Sequence, residues 1–283
     1  MSDSVKILLL GGGYSLGYLA KELKESFVIT SRDKTKFSSS YKYVENLDIF
    51  NIKDIEYIVE KYPNIEVIID SIPTQGVERL KNKINENKFE SYLKNLKLFS
   101  KLNIKQYVYL STTGVYGVTD GSIVTEQTQT NPISASGLAR LNVENFLREI
   151  YKSKLNILRL SAIYGKDRGV INSLKSGRYP LVGNGERFTN RIHVQDIVLA
   201  ILKIMDNPKF DIVNLKDGDN LTQKELVKYF VDKFEYPNPK GISLEGVKIS
   251  GMLSLLSNQQ IDNKRLLELV GSLRFKSIKD INW

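Results

Sequence analysis

The chain has 283 residues and 41% hydrophobic content, enough for one large domain or two interleaved ones with a real core, and this excludes a disordered chain. It has no cysteine, which removes disulfides, thiolate zinc sites and a cysteine nucleophile, and a single His weakens the case for metal chemistry further. The net charge of +9 arises from 41 Lys and Arg spread among 32 Asp and Glu. With no basic block and no interleaved aromatics, a nucleic-acid partner is not expected, whereas a phosphate-bearing small-molecule substrate suits the charge. The longest apolar stretches fall far short of the ~20 residues of a membrane span, and no cleavable leader precedes them. A cytoplasmic protein without membrane contact is therefore expected.

In chain order, VKILLLG predicts a strand, YLAKELKES a helix, FVITSR a strand, YKYVENLDI a weak strand, IKDIEYIVEKY a helix and IEVIIDSI a buried strand. FESYLKNLKLFSKLN then predicts a helix, KQYVYLSTTG a strand, GLARLNVENFLREIYK a helix and LNILRLSAIYG a strand. Short apolar runs with few polar interruptions are strands covered on both faces, and their alternation with helices predicts an α/β fold, a Rossmann-like doubly wound parallel sheet. After about residue 165 the rhythm changes to loops and separate helices. The expected division is a dinucleotide-binding domain over 1–165 and a smaller, mostly helical substrate lobe over 166–283, partly interleaved, with helix 194–206 packing on the first domain.

The stretch LLLGGGYSLGYLAKEL passes from strand through a glycine-rich turn to helix. Gly11, Gly12, Gly13 and Gly17 let backbone approach a pyrophosphate, and the first helical residues Tyr14, Ser15 and Leu16 aim their N–H groups at it. Tyr14, however, occupies the middle place of G-x-x-G-x-x-G. Two other readings exist: a turn needing glycine for geometry alone, and a nucleophile elbow in GYSLG with Ser15 as nucleophile and His193 as base. At the end of the second strand, Ser31 and Arg32 come before Asp33, which favours NADP(H) over NAD(H), since Arg accommodates a 2′-phosphate; the same residues also suit an ordinary solvated turn.

With these pieces placed, the chain resembles the extended and atypical short-chain dehydrogenase/reductases, the NAD-dependent nucleoside-diphosphate-sugar epimerase/dehydratase relatives. The resemblance rests on GGGYSLG, NLDI, YVYLSTTGVYG, LRLSAIYG, RIHVQDIVLAI and the tail SNQQIDNKRLLELVG, in order and with compatible spacing. It places Asp48 at the adenine contact and Ser71 among the cofactor contacts. In that family a Tyr, a Lys one helical turn later and a Ser or Thr from the preceding strand form the active site. Carried over, Thr112 matches the Ser/Thr, Ser136 stands where the Tyr belongs and Arg140 where the Lys belongs. A serine hydroxyl is a far weaker acid than a phenol of pKa ~10, and an always-protonated Arg cannot relay a proton. Arg140 can still bind the cofactor ribose. The bland alternative is a helix entry with an Arg140–Glu144 pair on a solvated face.

Tyr116 and Tyr164, near the carboxyl edge of the sheet, are candidate replacements for the lost acid, Tyr164 also as a substrate contact. Arg187 and Arg191 are candidate phosphate ligands, although the family's usual Arg position holds Thr189, and His193 matches a structural histidine. The resemblance implies an NAD(P)-binding oxidoreductase or epimerase-like protein with an altered catalytic pair, acting on a small-molecule substrate of which a nucleotide sugar is one candidate. The alternatives are a non-catalytic NADP(H)-binding redox sensor or regulator and, less directly, a serine hydrolase using Ser15. A homodimer is compatible with helix 137–151, whose apolar Val143, Leu147 and Ile150 suit core or interface alike.

Overall fold

The computed structural model describes residues 4–37 and 40–281. Seven parallel strands form one sheet: β1 (Ile7–Leu10), β2 (Phe27–Ser31), β3 (Val44–Asn46), β4 (Val67–Asp70), β5 (Gln106–Thr112), β6 (Leu155–Leu160) and β7 (Ile212–Leu215). Their spatial order is β7-β6-β5-β4-β1-β2-β3. The winding reverses between β1 and β4, the switch point above which ligands bind in doubly wound folds. The sheet is thus the predicted Rossmann-like one.

Alternation along each strand decides which layer a residue enters. Leu8, Leu10, Ile68, Tyr107, Tyr109 and Ile157 belong to one buried cluster, and Ile7, Leu9, Ile69, Val108, Leu110 and Leu158 to the other. The first face is covered by α2 (Ile52–Lys61), α3 (Glu86–Leu96) and α4 (Ala135–Tyr151), the second by α1 (Tyr14–Glu22) and α6 (Val194–Asp206). Val143 and Leu147 of α4 are fully buried in the first cluster with Ile150 packed against it, so this apolar stripe is committed to the core.

The chain crosses the expected division at residue 165 by returning to the sheet. Helix α6 packs on α1 through Ile197, Ile201 and Ile204, and β7, a strand formed by FDIVNL beyond the six predicted, pairs with β6. The remaining part has its own small core of Ile171, Leu174, Leu226, Val227 and Phe230, built from α5 (Val170–Lys175) and α7 (Gln223–Phe234). Helix α7 opens with a Thr222–Glu225 capping box, a sequence-local reason for its start. Two short helices, α8 (Leu244–Ile249) and α9 (Lys264–Val270), complete the described helices of this part.

Candidate functional site

The glycine turn is fixed at the carboxyl ends of three strands. Gly11 has φ +95°, a conformation that only glycine adopts easily. Its N–H donates to Thr30 Oγ1 at 2.9 Å and its carbonyl accepts from Ser71 Oγ at 2.8 Å. The turn is therefore pinned to β2 and to the residue after β4, and the Ser71 hydroxyl acts through this bond. Helix α1 starts at Tyr14 with no side-chain cap. The N–H groups of its first turn thus face outward with the positive end of the helix dipole.

A side chain at Gly13 or Gly17 would meet no atom within 4 Å. Open space beside uncapped N–H groups fits a diphosphate. Ser15 and Leu16 are buried, so they offer such a ligand backbone only. A Cβ at Gly12 would lie 2.6 Å from the Phe37 ring, which lies over this part of the turn.

Tyr14 leans away to the loop after β6. Its hydroxyl donates to the Lys166 carbonyl at 2.8 Å, Arg168 lies 4.9 Å from its ring centre, and Tyr18 packs at 5.2 Å. Gly165 makes this possible, since a Cβ there would fall 2.7 Å from the Tyr14 hydroxyl and 2.9 Å from Val194. Gly165→Ala is expected to lower stability by about 1–3 kcal/mol through clash and loss of this bond; chemical denaturation measures it, and Gly165→Ala in a Tyr14→Phe background should cost less.

At the far end of β2, Arg32 is exposed and makes no ion pair with any described residue. Asp33 is turned from the crevice, its carboxylate accepting from the Thr35 N–H and hydroxyl, and Ser31 Oγ accepts from the Asp33 N–H at 3.2 Å. Exposed Asp48 follows β3, its carboxylate accepting from the Phe50 N–H at 3.0 Å.

The second half of the site lies above β5. Thr112 Oγ1 accepts from the Gly114 N–H at 3.1 Å. Gly137 lets α4 settle on this loop, because a Cβ there would stand 2.6 Å from the Gly114 carbonyl oxygen. Ser134 caps α4, accepting from the Gly137 N–H, and the Ser136 hydroxyl lies 3.1 Å from the Ser134 hydroxyl. A further contact has no signal in the residue pattern: the Ala135 N–H donates at 2.8 Å to Asn82, at the end of a short hairpin over 77–84. Arg140 bends onto the strand, its Nη1 donating to the Tyr109 hydroxyl at 2.8 Å and to the Leu110 carbonyl at 3.1 Å. Its Nε and Nη2 make no hydrogen bond to any described residue.

The Arg140–Glu144 surface pair is corrected by the structure. Glu144 is fully buried and grips Arg159 in a two-pronged ion pair, Nε to Oε1 at 3.1 Å and Nη2 to Oε2 at 2.6 Å, while accepting from Ser111 Oγ at 2.5 Å. Arg159 also packs over the Tyr116 ring, whose hydroxyl donates to Asn214 at 2.7 Å. Tyr116 is 1% exposed, and burial pushes its phenol up. It holds strands together, and its placement speaks against proton donation to a ligand.

Asp70 ends β4 fully buried, accepting from the Ile72 N–H and the Tyr107 hydroxyl, each at 2.8 Å. Burial pushes its carboxyl up to about 6. Because the folded value lies above the unfolded one, the native state binds the extra proton, and this group's contribution falls as pH rises from about 4 to 6. Asp70→Asn should therefore gain stability relative to the parent across that interval and hold a constant difference above it, read by denaturant titration at several pH values.

Tyr164 is also buried, edge-on to His193 at 5.2 Å, and burial beside Asp217 drives its phenol far up. Asp217 is itself pushed up to about 7 by burial. Arg191 is 3% exposed and bonded to the Thr189 carbonyl and hydroxyl. Arg187 differs: Nη1 donates to the Ser257 carbonyl at 3.1 Å, but Nε is buried without a hydrogen-bond partner among the described residues. His193 Nδ1 accepts from the Gln195 N–H at 3.2 Å, capping α6. No hydrogen bond joins Ser15 to His193, and a ring whose Nδ1 is an acceptor cannot offer an acid the N–H that orients a triad base. Among the described residues no group of three or more His, Cys, Asp or Glu is placed to hold a metal, and no helix is long and apolar enough to cross a membrane.

Above a doubly wound sheet stand a glycine turn at the switch point and an uncapped α1, with Thr112 at the end of β5 and Ser136 and Arg140 on α4. The model of the NAD dependent epimerase/dehydratase family matches residues 7–215, and the chain belongs to that family. Protein YeeZ of Escherichia coli strain K12 is 30% identical over 106 residues, covering 38% of this chain and 37% of YeeZ. The chain thus spans little more than a third of the length of the curated relatives it matches. A putative NAD-dependent epimerase/dehydratase from Methylobacillus flagellatus superposes with TM-score 0.75 at 20% identity over 97% of this chain and 95% of that one. DesIV, a dTDP-glucose 4,6-dehydratase from Streptomyces venezuelae with NAD and TYD bound, gives 0.77 at 16% identity over 97% and 94%.

Proposed function

We propose that this chain binds a nicotinamide dinucleotide in the crevice above β1 and β4, NADP(H) ahead of NAD(H), and holds it without the family's phenol-driven proton transfer. Gly11, Gly13, Gly17 and the first-turn N–H groups would take the diphosphate, Asp48 the adenine, and Arg32 the 2′-phosphate. Arg140 would anchor the ribose through Nε and Nη2. When bound, the nicotinamide supplies a hydride donor or acceptor. The protein's own residues bind and orient it, but among the described residues the phenols beside the site are engaged or buried: Tyr14 donates to the Lys166 carbonyl, Tyr109 is bonded to Arg140, and Tyr116 and Tyr164 are buried. That observation carries the reading of a cofactor-binding regulator.

The second reading, an oxidoreductase or epimerase with a rearranged site, is favoured by one feature, the unpartnered Arg187 Nε, which suits a substrate phosphate such as that of a nucleotide sugar. Incubation of the protein with NADPH and a panel of carbonyl compounds separates the two. The regulator reading predicts bound but unoxidised NADPH; steady oxidation above the protein-free rate would overturn it. Gel filtration across a concentration series is expected to show a monomer, since the apolar stripe of α4 is buried.

A further inference from the structure

A cavity of about 480 Å³ opens on the α1–α6 side of the molecule, beyond Tyr14. Its walls come from four places distant in sequence: Tyr18 of α1, the loop after β6 with α5, the start of α6, and the C-terminal segment. Asp196, fully buried in α6, draws that segment in by accepting from the Arg274 and Phe275 N–H groups at 2.7 and 3.1 Å. This places Phe275 against His193, ring centres 3.7 Å apart, and with Tyr18 opposite the cavity gains aromatic walls.

Its polar side is cationic. Lys166, Arg168 and Lys175 line it against a single acid, Asp167. His193, also lining it, is 5% exposed. Because Nδ1 accepts from Gln195, the ring proton is on Nε2, which no described residue accepts. With the ring lining the cavity, that N–H is a donor a bound ligand can meet. The three cations and this donor line the same cavity as Gln195 of the first turn of α6.

We propose that this cavity is a second binding site, separate from the dinucleotide crevice, for an aryl phosphate: a phosphate monoester on a planar aromatic body. The volume lies within the range of small-ligand pockets. The lysines and Arg168 would meet the phosphate with the His193 Nε2–H, and Tyr18 and Phe275 would flank the ring.

Phenyl phosphate is the probe, because it has no adenosine to direct it to the glycine turn. Calorimetric titration of the full chain is expected to show saturable binding, at least tenfold tighter than inorganic phosphate, undisturbed by saturating NADPH. Lys166→Gln/Lys175→Gln, which alters two exposed side chains, should weaken phenyl phosphate at least tenfold and leave both the melting temperature and NADPH binding unchanged. The proposal is overturned by absence of binding in the parent, by displacement with NADPH, by equal affinity for inorganic phosphate, or by an unaltered affinity in the double variant. Failure of NADPH to bind would count against the dinucleotide reading alone.

Discussion

Gly117→Ala is expected to destabilise the protein by roughly 4 kcal/mol or more, placing it in the exceptional class of single substitutions. Gly117 follows the buried Tyr116 at φ +69°, and a Cβ there would stand 1.8 Å from the Asn131 carbonyl oxygen and 2.7 Å from its carbon. Both are backbone atoms, and the Tyr116 carbonyl accepts from the Asn131 N–H at 3.2 Å, so neither strand of this crossing can yield cheaply. The crossing feeds directly into the Ser134 cap of α4. The variant should therefore lose dinucleotide binding together with stability, whereas a change at Ser136 alone should leave stability intact. Denaturant unfolding of the two variants side by side checks this, and a Gly117→Ala protein with parental stability would contradict the described crossing.

The second large effect is expected at Glu144. Its replacement by Ala strands the Arg159 guanidinium, 3% exposed, without its counter-charge and leaves Ser111 without an acceptor. Breaking a buried pair by removing one partner costs about 3–5 kcal/mol, since the remaining charge has lost its solvation as well. A double Glu144→Leu/Arg159→Met variant should recover much of the loss, because replacing both groups by apolar ones removes the uncompensated charge. If the single and double variants are equally unstable, the pair is not what holds α4 to β5 and β6. Arg140 lies one helical turn before Glu144, so this buried ion pair also sets where Arg140 meets the crevice.

Six strands and the chief helices of the sheet were legible because all the strand runs but the weak β3 are mainly apolar and the helices carry a 3.6-residue period. β7 was passed over since IVNL is short and carries a polar Asn214, whose purpose, accepting from Tyr116, is visible only in three dimensions. The glycine turn was legible from its strand–turn–helix setting. The Tyr14 contact with Lys166 was not, because it joins residues 152 positions apart. Glu144 looked like a surface partner of Arg140 by helical spacing, yet its true partner comes from β6; a carboxylate on a helix facing a strand Arg is invisible to periodicity. Asp70 carried a usable signal, a charge closing the apolar run VIID. Asn82 carried none, since its role depends on how a hairpin folds over the start of α4.

We infer that the cradle binds the dinucleotide although Tyr14, Ser136 and Arg140 depart from the family pattern. Titration with NADPH and separately with NADH, followed by energy transfer from the tyrosines to the nicotinamide, tests it most directly. Saturable binding of both is expected, tighter for NADPH, with the preference abolished by Arg32→Ala and the affinity for both lowered about tenfold or more by Arg140→Ala, as loss of a charge-assisted hydrogen bond implies. No binding of either dinucleotide would contradict it, and would mean that Tyr14 and Phe37 close the crevice.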